Sequence, residues 1–271
     1  MGILNVTPDS FSDGGRFADA TSAAARAHEM VAQGADIVDI GGESTRPGAP
    51  AVDAEEEWAR VGPVLERLSG LPAPISIDTT KSAVAARAVE LGAAIINDVS
   101  GLRFDPGLAS LAAEQRTGLV LMHMRGDPRT MQNDVTYSDL IDAVRDGLAA
   151  SLATALEAGC QPGQIVVDPG LGFGKSARGS VELIARLSEL EALGRPLLVG
   201  PSRKSFIGYL LDGSRPDGGE SSRLEGTIAA CLMALERGAT IFRVHDVAEV
   251  RRALTVAEAI RGVDADGWRK D

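Results

Sequence analysis

Ile75-Ser76-Ile77-Asp78 is a short apolar run that ends in a carboxylate, and the same arrangement recurs along the chain. Before it come Ile3-Leu4-Asn5 and Ile37-Val38-Asp39, the second continuing as Ile40-Gly41-Gly42-Glu43-Ser44-Thr45-Arg46. After it come Ala94-Ile95-Ile96-Asn97-Asp98, Leu119-Val120-Leu121-Met122-His123 and Ile165-Val166-Val167-Asp168. Leu197-Leu198-Val199 runs into Ser202-Arg203-Lys204, and Ile241-Phe242 into Arg243, Val244, His245 and Asp246. A strand that buries its length and shows a polar residue only at its carboxyl end feeds a shared site, where parallel α/β folds keep their catalytic groups.

Helical patterns separate these runs, near residues 18–33, 54–69, 81–91, 106–116, 137–158, 179–193, 220–237 and 247–261. Asp53 stands as a cap before Ala54-Glu55-Glu56-Glu57, with Ser138 or Asp139 near the fifth start. Gly34, Gly70, Gly92, Gly159, Gly194 and Gly238 mark stops. Pro63 inside the second pattern predicts a kink or a restart. Eight strand–helix units about 30 residues apart predict an α/β fold, a closed (β/α)8 TIM barrel forming one domain over 1–271. An open doubly wound sheet is the competitor, but the glycine-rich dinucleotide turn expected after its first strand is absent. The connections 7–17, 43–52 and 124–136 are long or rich in Gly and Pro, and are expected to be mobile binding loops at the carboxyl face.

A chain of 271 residues, 44% hydrophobic and 24% charged, has the composition of a soluble globular protein. None of its apolar stretches approaches the roughly 20 residues of a membrane helix. The net charge of −11 argues against nucleic acid or an anionic membrane as partner, so an anionic ligand would need a local cationic cluster. Cys160 and Cys231 have no metal or redox spacing, which suits buried thiols in a reducing cytoplasm. The amino terminus lacks the features of a signal peptide, so the Asn5-Val6-Thr7 sequon is set aside. The first strand starts almost at Met1, which leaves open a short segment upstream.

Several motifs dissolve on inspection. Gly170-Leu171-Gly172-Phe173-Gly174-Lys175-Ser176 misses the phosphate-loop register because Pro169 stands where a glycine is needed, so a tight turn is the better reading, with Phe173 facing a ligand. Ser202 lacks a nucleophile elbow because Lys204 occupies its last position. His28, His123 and His245 do not have zinc spacing, and His28 falls in a helix.

Asp78 and Asp168 form the sharpest pair. One such Asp alone is more often a cap or turn residue. Two on different strands, with Asn97 between them in order, point to a site. A carboxylate accepts two parallel hydrogen bonds, Asn97 both donates and accepts, and Lys204 donates to a carbonyl; together they suit a flat polar heterocycle. Arg46, Arg203, Arg243 and His245 add positive charge at the same face, although a lone Arg is usually a solvated ion pair. Arg243 and His245 lie two apart, on one side of an extended strand, and with Asn5 on the neighbouring strand of a closed barrel could hold a pyrophosphate. Asn5 could also ligate Mg²⁺, with phosphates and water completing the octahedron.

Asn5-Val6-Thr7-Pro8-Asp9-Ser10-Phe11-Ser12-Asp13-Gly14-Gly15 and Asp39-Ile40-Gly41-Gly42-Glu43-Ser44-Thr45-Arg46-Pro47-Gly48 resemble the first two signatures of the dihydropteroate synthases. Ser76-Ile77-Asp78-Thr79, Ile96-Asn97-Asp98, Met122-His123-Met124, Asp168-Pro169-Gly170, Ser202-Arg203-Lys204-Ser205 and Arg243-Val244-His245 follow in the family's order, so the resemblance runs from Asn5 to about Asp246.

The resemblance implies a transferase of folate synthesis and a sulfonamide target. It would join 6-hydroxymethyl-7,8-dihydropterin pyrophosphate to para-aminobenzoate. By analogy Asp78, Asn97, Asp168 and Lys204 hold the pterin, with Met122 in the same pocket. Asn5, Arg243 and His245 hold pyrophosphate and Mg²⁺, with Thr45 and Arg46 nearby. Thr45, Pro47, Phe173, Lys204 and Ser205 shape the aminobenzoate pocket. Asp78, Asp9, Asp13, Lys204 and Arg46 are the residues implied in the chemistry. The family also implies a homodimer. Two rivals share the pterin carboxylates: a methyltetrahydrofolate–corrinoid methyltransferase, which has no need of the pyrophosphate set, and a non-catalytic pterin-binding homologue, which need not keep the two long signatures.

Overall fold

The computed structural model describes residues 1–7, 15–46, 48–212 and 223–262, with the backbone alone at 15–19 and at 212. Eight parallel strands lie side by side in chain order: β1 (Gly2–Asn5), β2 (Val38–Gly41), β3 (Ile75–Asp78), β4 (Ala93–Asp98), β5 (Gly118–Met122), β6 (Ile165–Asp168), β7 (Leu197–Val199) and β8 (Ala239–Phe242). The sheet closes on itself just beyond β8, where Ile3 N–H donates to the Val244 carbonyl and Val244 N–H to that of Met1, each at 2.9 Å. This is the closed (β/α)8 barrel that the run-and-helix pattern predicts.

Helices α1 (Gly15–Ala32), α2 (Ala54–Arg67), α3 (Ser82–Glu90), α4 (Gly107–Gln115), α5 (Leu140–Glu157), α6 (Ala177–Ala185), α7 (Ser205–Asp212), α8 (Leu224–Leu235) and α9 (Val247–Arg261) alternate with the strands. Capping follows local chemistry. Asp53 accepts from Glu56 N–H at 2.8 Å, and Asp139 from Asp142 N–H at 3.0 Å. The core lies between strands and helices, with Ile40, Ile77, Ile96, Leu119, Leu121 and Val167 from the sheet fully buried against Val61, Val64, Leu108, Leu148 and Leu183.

Three elements depart from the sequence reading. Helix α2 passes Pro63 without interruption. Residue 62 is glycine, and a residue before proline is kept out of the helical region partly by its Cβ, so Gly62 removes that obstacle. The helix expected over 179–193 divides at Arg186 into α6 and a 3-10 segment, Leu187–Leu193. Leu187 and Leu190 are both fully buried on one face of this segment, which ends at Gly194 in the left-handed conformation. Helix α7 is an addition, inserted after β7 and starting directly behind Lys204.

Candidate functional site

The strand register sets the carboxyl ends level: Asn5 pairs with Gly41, Gly41 with Asp78, Asp78 with Asn97, and Met122 with Asp168. Arg243, just past β8, bridges two of the carboxylates. Its Nε donates to Asp39 Oδ2 and its Nη2 to Asp78 Oδ2, both at 2.6 Å. Asn97 Nδ2 donates to the same Asp39 oxygen at 3.1 Å. Asp39 is fully buried, and its Oδ1 is without a hydrogen-bond partner among the described residues. Burial raises the Asp78 pKa above the usual carboxylate range, while the Arg243 guanidinium pulls it back. Burial would lower the Arg243 pKa, but Asp39 and Asp78 outweigh it and the group stays a cation.

Asp168 ends β6 and folds back on its own turn, accepting from Gly170 N–H at 2.7 Å. Gly170 has φ +69°, and a Cβ there would stand 2.1 Å from the His123 carbonyl oxygen, so the turn requires glycine. Burial pushes the Asp168 carboxyl up to about 6, against the Gly170 N–H and the Lys204 and Lys175 cations. Lys204 Nζ sits 4.0 Å from the centre of the Phe173 ring. Burial and the Arg243 charge bring its pKa down to about 8, opposed by Asp168 and Asp78. Phe173 packs with Val99, Met122, Met124 and Met131 in an apolar cluster distinct from the main core. The mouth of the barrel thus joins hydrogen-bond acceptors, a cation of lowered pKa and an apolar wall. That combination fits a planar polar ring bearing several N–H donors.

Asn5 and Arg243 belong to β1 and to the segment beyond β8, neighbours through the barrel closure. His245 lies two residues past Arg243, its Nδ1 3.0 Å from Ser202 Oγ. Arg203, which sequence reading grouped with the mouth cations, directs Nε and Nη2 to Asp246 instead, at 3.1 and 2.6 Å. Thr45 is half-buried and Arg46 exposed in the loop after β2, and Ser205 is exposed at the start of α7. Asp9, Asp13 and Pro47 lie outside the described residues.

Two features went unread in the sequence. Asp39 looked like one more strand-end residue before a glycine pair, yet it lies inside β2 and anchors Arg243 and Asn97. Lys175 looked like part of a tight turn, yet it is buried, its Nζ 2.8 Å from His123 Nδ1 and 2.7 Å from the His123 carbonyl. Burial, with the Lys175 and Arg103 charges, lowers the His123 pKa to about 3, so the ring is neutral. The available signal was a charged residue inside an otherwise Gly-rich, uncharged stretch.

The pterin binding enzyme family matches residues 1–245. A dihydropteroate synthase from Synechocystis is 49% identical over 261 residues, which span 96% of this chain and 89% of that protein. The Escherichia coli K12 dihydropteroate synthase is 45% identical over 260 residues, spanning 96% and 90%. Among solved structures, Xanthomonas albilineans dihydropteroate synthase with 4-aminobenzoic acid superposes with a TM-score of 0.90 at 45% identity, over 97% of this chain and 93% of that one. The Clostridium difficile dihydropteroate synthase obtained in the presence of pteroic acid gives 0.89 at 45% identity, over 96% and 95%. The family match over residues 1–245, the 49% identity over 96% of the chain and the superposed barrel agree with one another, and the chain therefore belongs to the dihydropteroate synthases of the pterin-binding enzyme family.

Proposed function

We propose that the chain, as one barrel domain, condenses 6-hydroxymethyl-7,8-dihydropterin pyrophosphate with para-aminobenzoate, giving 7,8-dihydropteroate and pyrophosphate. The observation that carries this reading is the convergence of Asp78, Asn97, Asp168 and Lys204 at one barrel mouth beside Arg243. Asp168 and Asn97 bind the pterin edge, and Lys204 donates to its carbonyl from above Phe173. The C–O bond of the pterin methylene breaks first, its electron pair leaving with pyrophosphate. The resulting cation is conjugated with the dihydropterin ring, and the carboxylates of Asp39, Asp78 and Asp168 at the mouth favour it, with Arg243 and Lys204 partly offsetting them. The arylamine nitrogen then forms the new C–N bond and releases a proton. A weakly basic arylamine attacking a cation needs no strong general base. Asp9 and Asp13 are assigned to the same cation, and Thr45, Arg46, Pro47 and Ser205 to the aminobenzoate and anion side.

Arg243, His245 and Asn5 are assigned to pyrophosphate. The donor set suits a Mg²⁺ carried in on that anion: Asn5 at the end of β1 offers one hard amide oxygen, and ligand and water oxygens supply the rest. When bound, the ion would stabilise the charge of the departing pyrophosphate. A homodimer is supported by exposed Leu210 and Leu211 on α7, Met233 on α8 and Val256 and Ile260 on α9. The free, buried Cys160 and Cys231 suit a reducing cytoplasm. No helix among the described residues is long and apolar enough to cross a membrane. The decisive assay is pyrophosphate release with each substrate alone and with both. Release only with both supports the synthase; release with neither combination, in a protein that still binds pterin, would favour a non-catalytic homologue.

A further inference from the structure

The loop after β2 carries Thr45 and Arg46, and a partly buried charge cluster secures its base. Lys81, just ahead of α3, donates through Nζ to Glu43 Oε2 at 2.5 Å and to Glu57 Oε2 at 2.6 Å. Glu57, on α2, is fully buried. The second Glu43 oxygen accepts from Val52 N–H at 3.0 Å, so one side chain clasps both ends of the loop. Arg60 on α2 donates to the Gly42 carbonyl at 2.7 Å. The tip has its own anchor, Gly48 N–H donating to the Pro128 carbonyl in the loop after β5 at 3.1 Å. Thr45 and Arg46 are thereby strung between Glu43 and Gly48. Lys81 N–H also reaches Thr79 Oγ1 at 3.2 Å, one residue after Asp78.

A partly buried ion cluster is a weak source of stability, because desolvation of its members offsets much of their attraction. What it supplies is direction. Burial raises the Glu57 pKa, and the Lys81 ammonium works against that shift. The ammonium is then fixed at one point, and Glu43 must come to it.

We propose that Lys81 is a positioning residue for the aminobenzoate side of the site: held by Glu57, it fixes Glu43 and so places Thr45 and Arg46 over the barrel mouth. The inference rests on the synthase reading, and its test is separable from it, since wild-type pyrophosphate release with both substrates is measured first. Lys81→Met is expected to raise KM for para-aminobenzoate about tenfold or more, a change that small misplacement of contacting groups can produce. Glu43→Gln, at a half-exposed position that should tolerate an uncharged isostere, is expected to act in the same direction. Lys81→Arg, which keeps the charge, should recover part of the loss. Calorimetric affinity for a pterin without phosphates should stay within about twofold of wild type in all three variants. Wild-type KM for para-aminobenzoate in Glu43→Gln, or an equal loss of pterin and aminobenzoate affinity, would overturn the proposal. If Lys81→Met does not fold, Glu43→Gln alone decides.

Discussion

A carboxyl of raised pKa that must be ionised to receive N–H donors makes ligand binding pH-dependent. In the unliganded site burial pushes Asp168 up to about 6. Below that value the group holds a proton that binding must expel, so pterin affinity should fall by up to about tenfold per pH unit as pH drops. Above it the carboxylate is ready and this dependence disappears. Asp168→Asn should weaken pterin binding by about 1.5–3 kcal/mol at neutral pH, the range of a charged hydrogen bond, and flatten the acidic limb. Calorimetric titration from acid to neutral pH checks both, and unchanged affinity in a folded variant would remove Asp168 from the site. Asp78 and Asp168 stood out in the sequence because each closes a mainly apolar strand, and Asn97 because it lies one residue before the end of β4. The partnership of Arg243 with Asp39 and Asp78 was not, since the contacts span 204 and 165 residues. No local pattern encodes which of several cations meets which carboxylate.

At the scale of elements, the eight strands were legible because short apolar runs between helical patterns have few alternatives. The split after α6 was hidden because leucines three apart, such as Leu187 and Leu190, share a face on an α-helix as well as on a 3-10 segment. Helix α7 escaped notice because Ser205–Asp212 is only eight residues long. The β6–α6 turn makes the sharpest prediction here. Gly170→Ala would press a methyl against the His123 carbonyl and force a side chain into a left-handed conformation. It should cost about 1–3 kcal/mol or more, read as a lower denaturation midpoint at unchanged slope. Loss of pterin affinity should accompany it, because the Gly170 N–H orients Asp168.

For the molecule as a whole, the apolar residues on α7, α8 and α9 predict self-association. Sedimentation should report a dimer, and Leu211→Glu combined with Ile260→Glu should give a monomer with an unaltered far-ultraviolet spectrum. A wild-type protein that sediments as a monomer across micromolar concentrations would refute this. Barrel closure carries a different consequence. The guanidinium that pairs with Asp39 and Asp78 arrives on the segment that seals β8 to β1. On the ribosome, the strands bearing the acidic residues emerge long before Arg243 does. A polypeptide that ended before β8 would lack both the strand that closes the barrel and the guanidinium that pairs with Asp39 and Asp78, leaving two buried carboxylates without that partner.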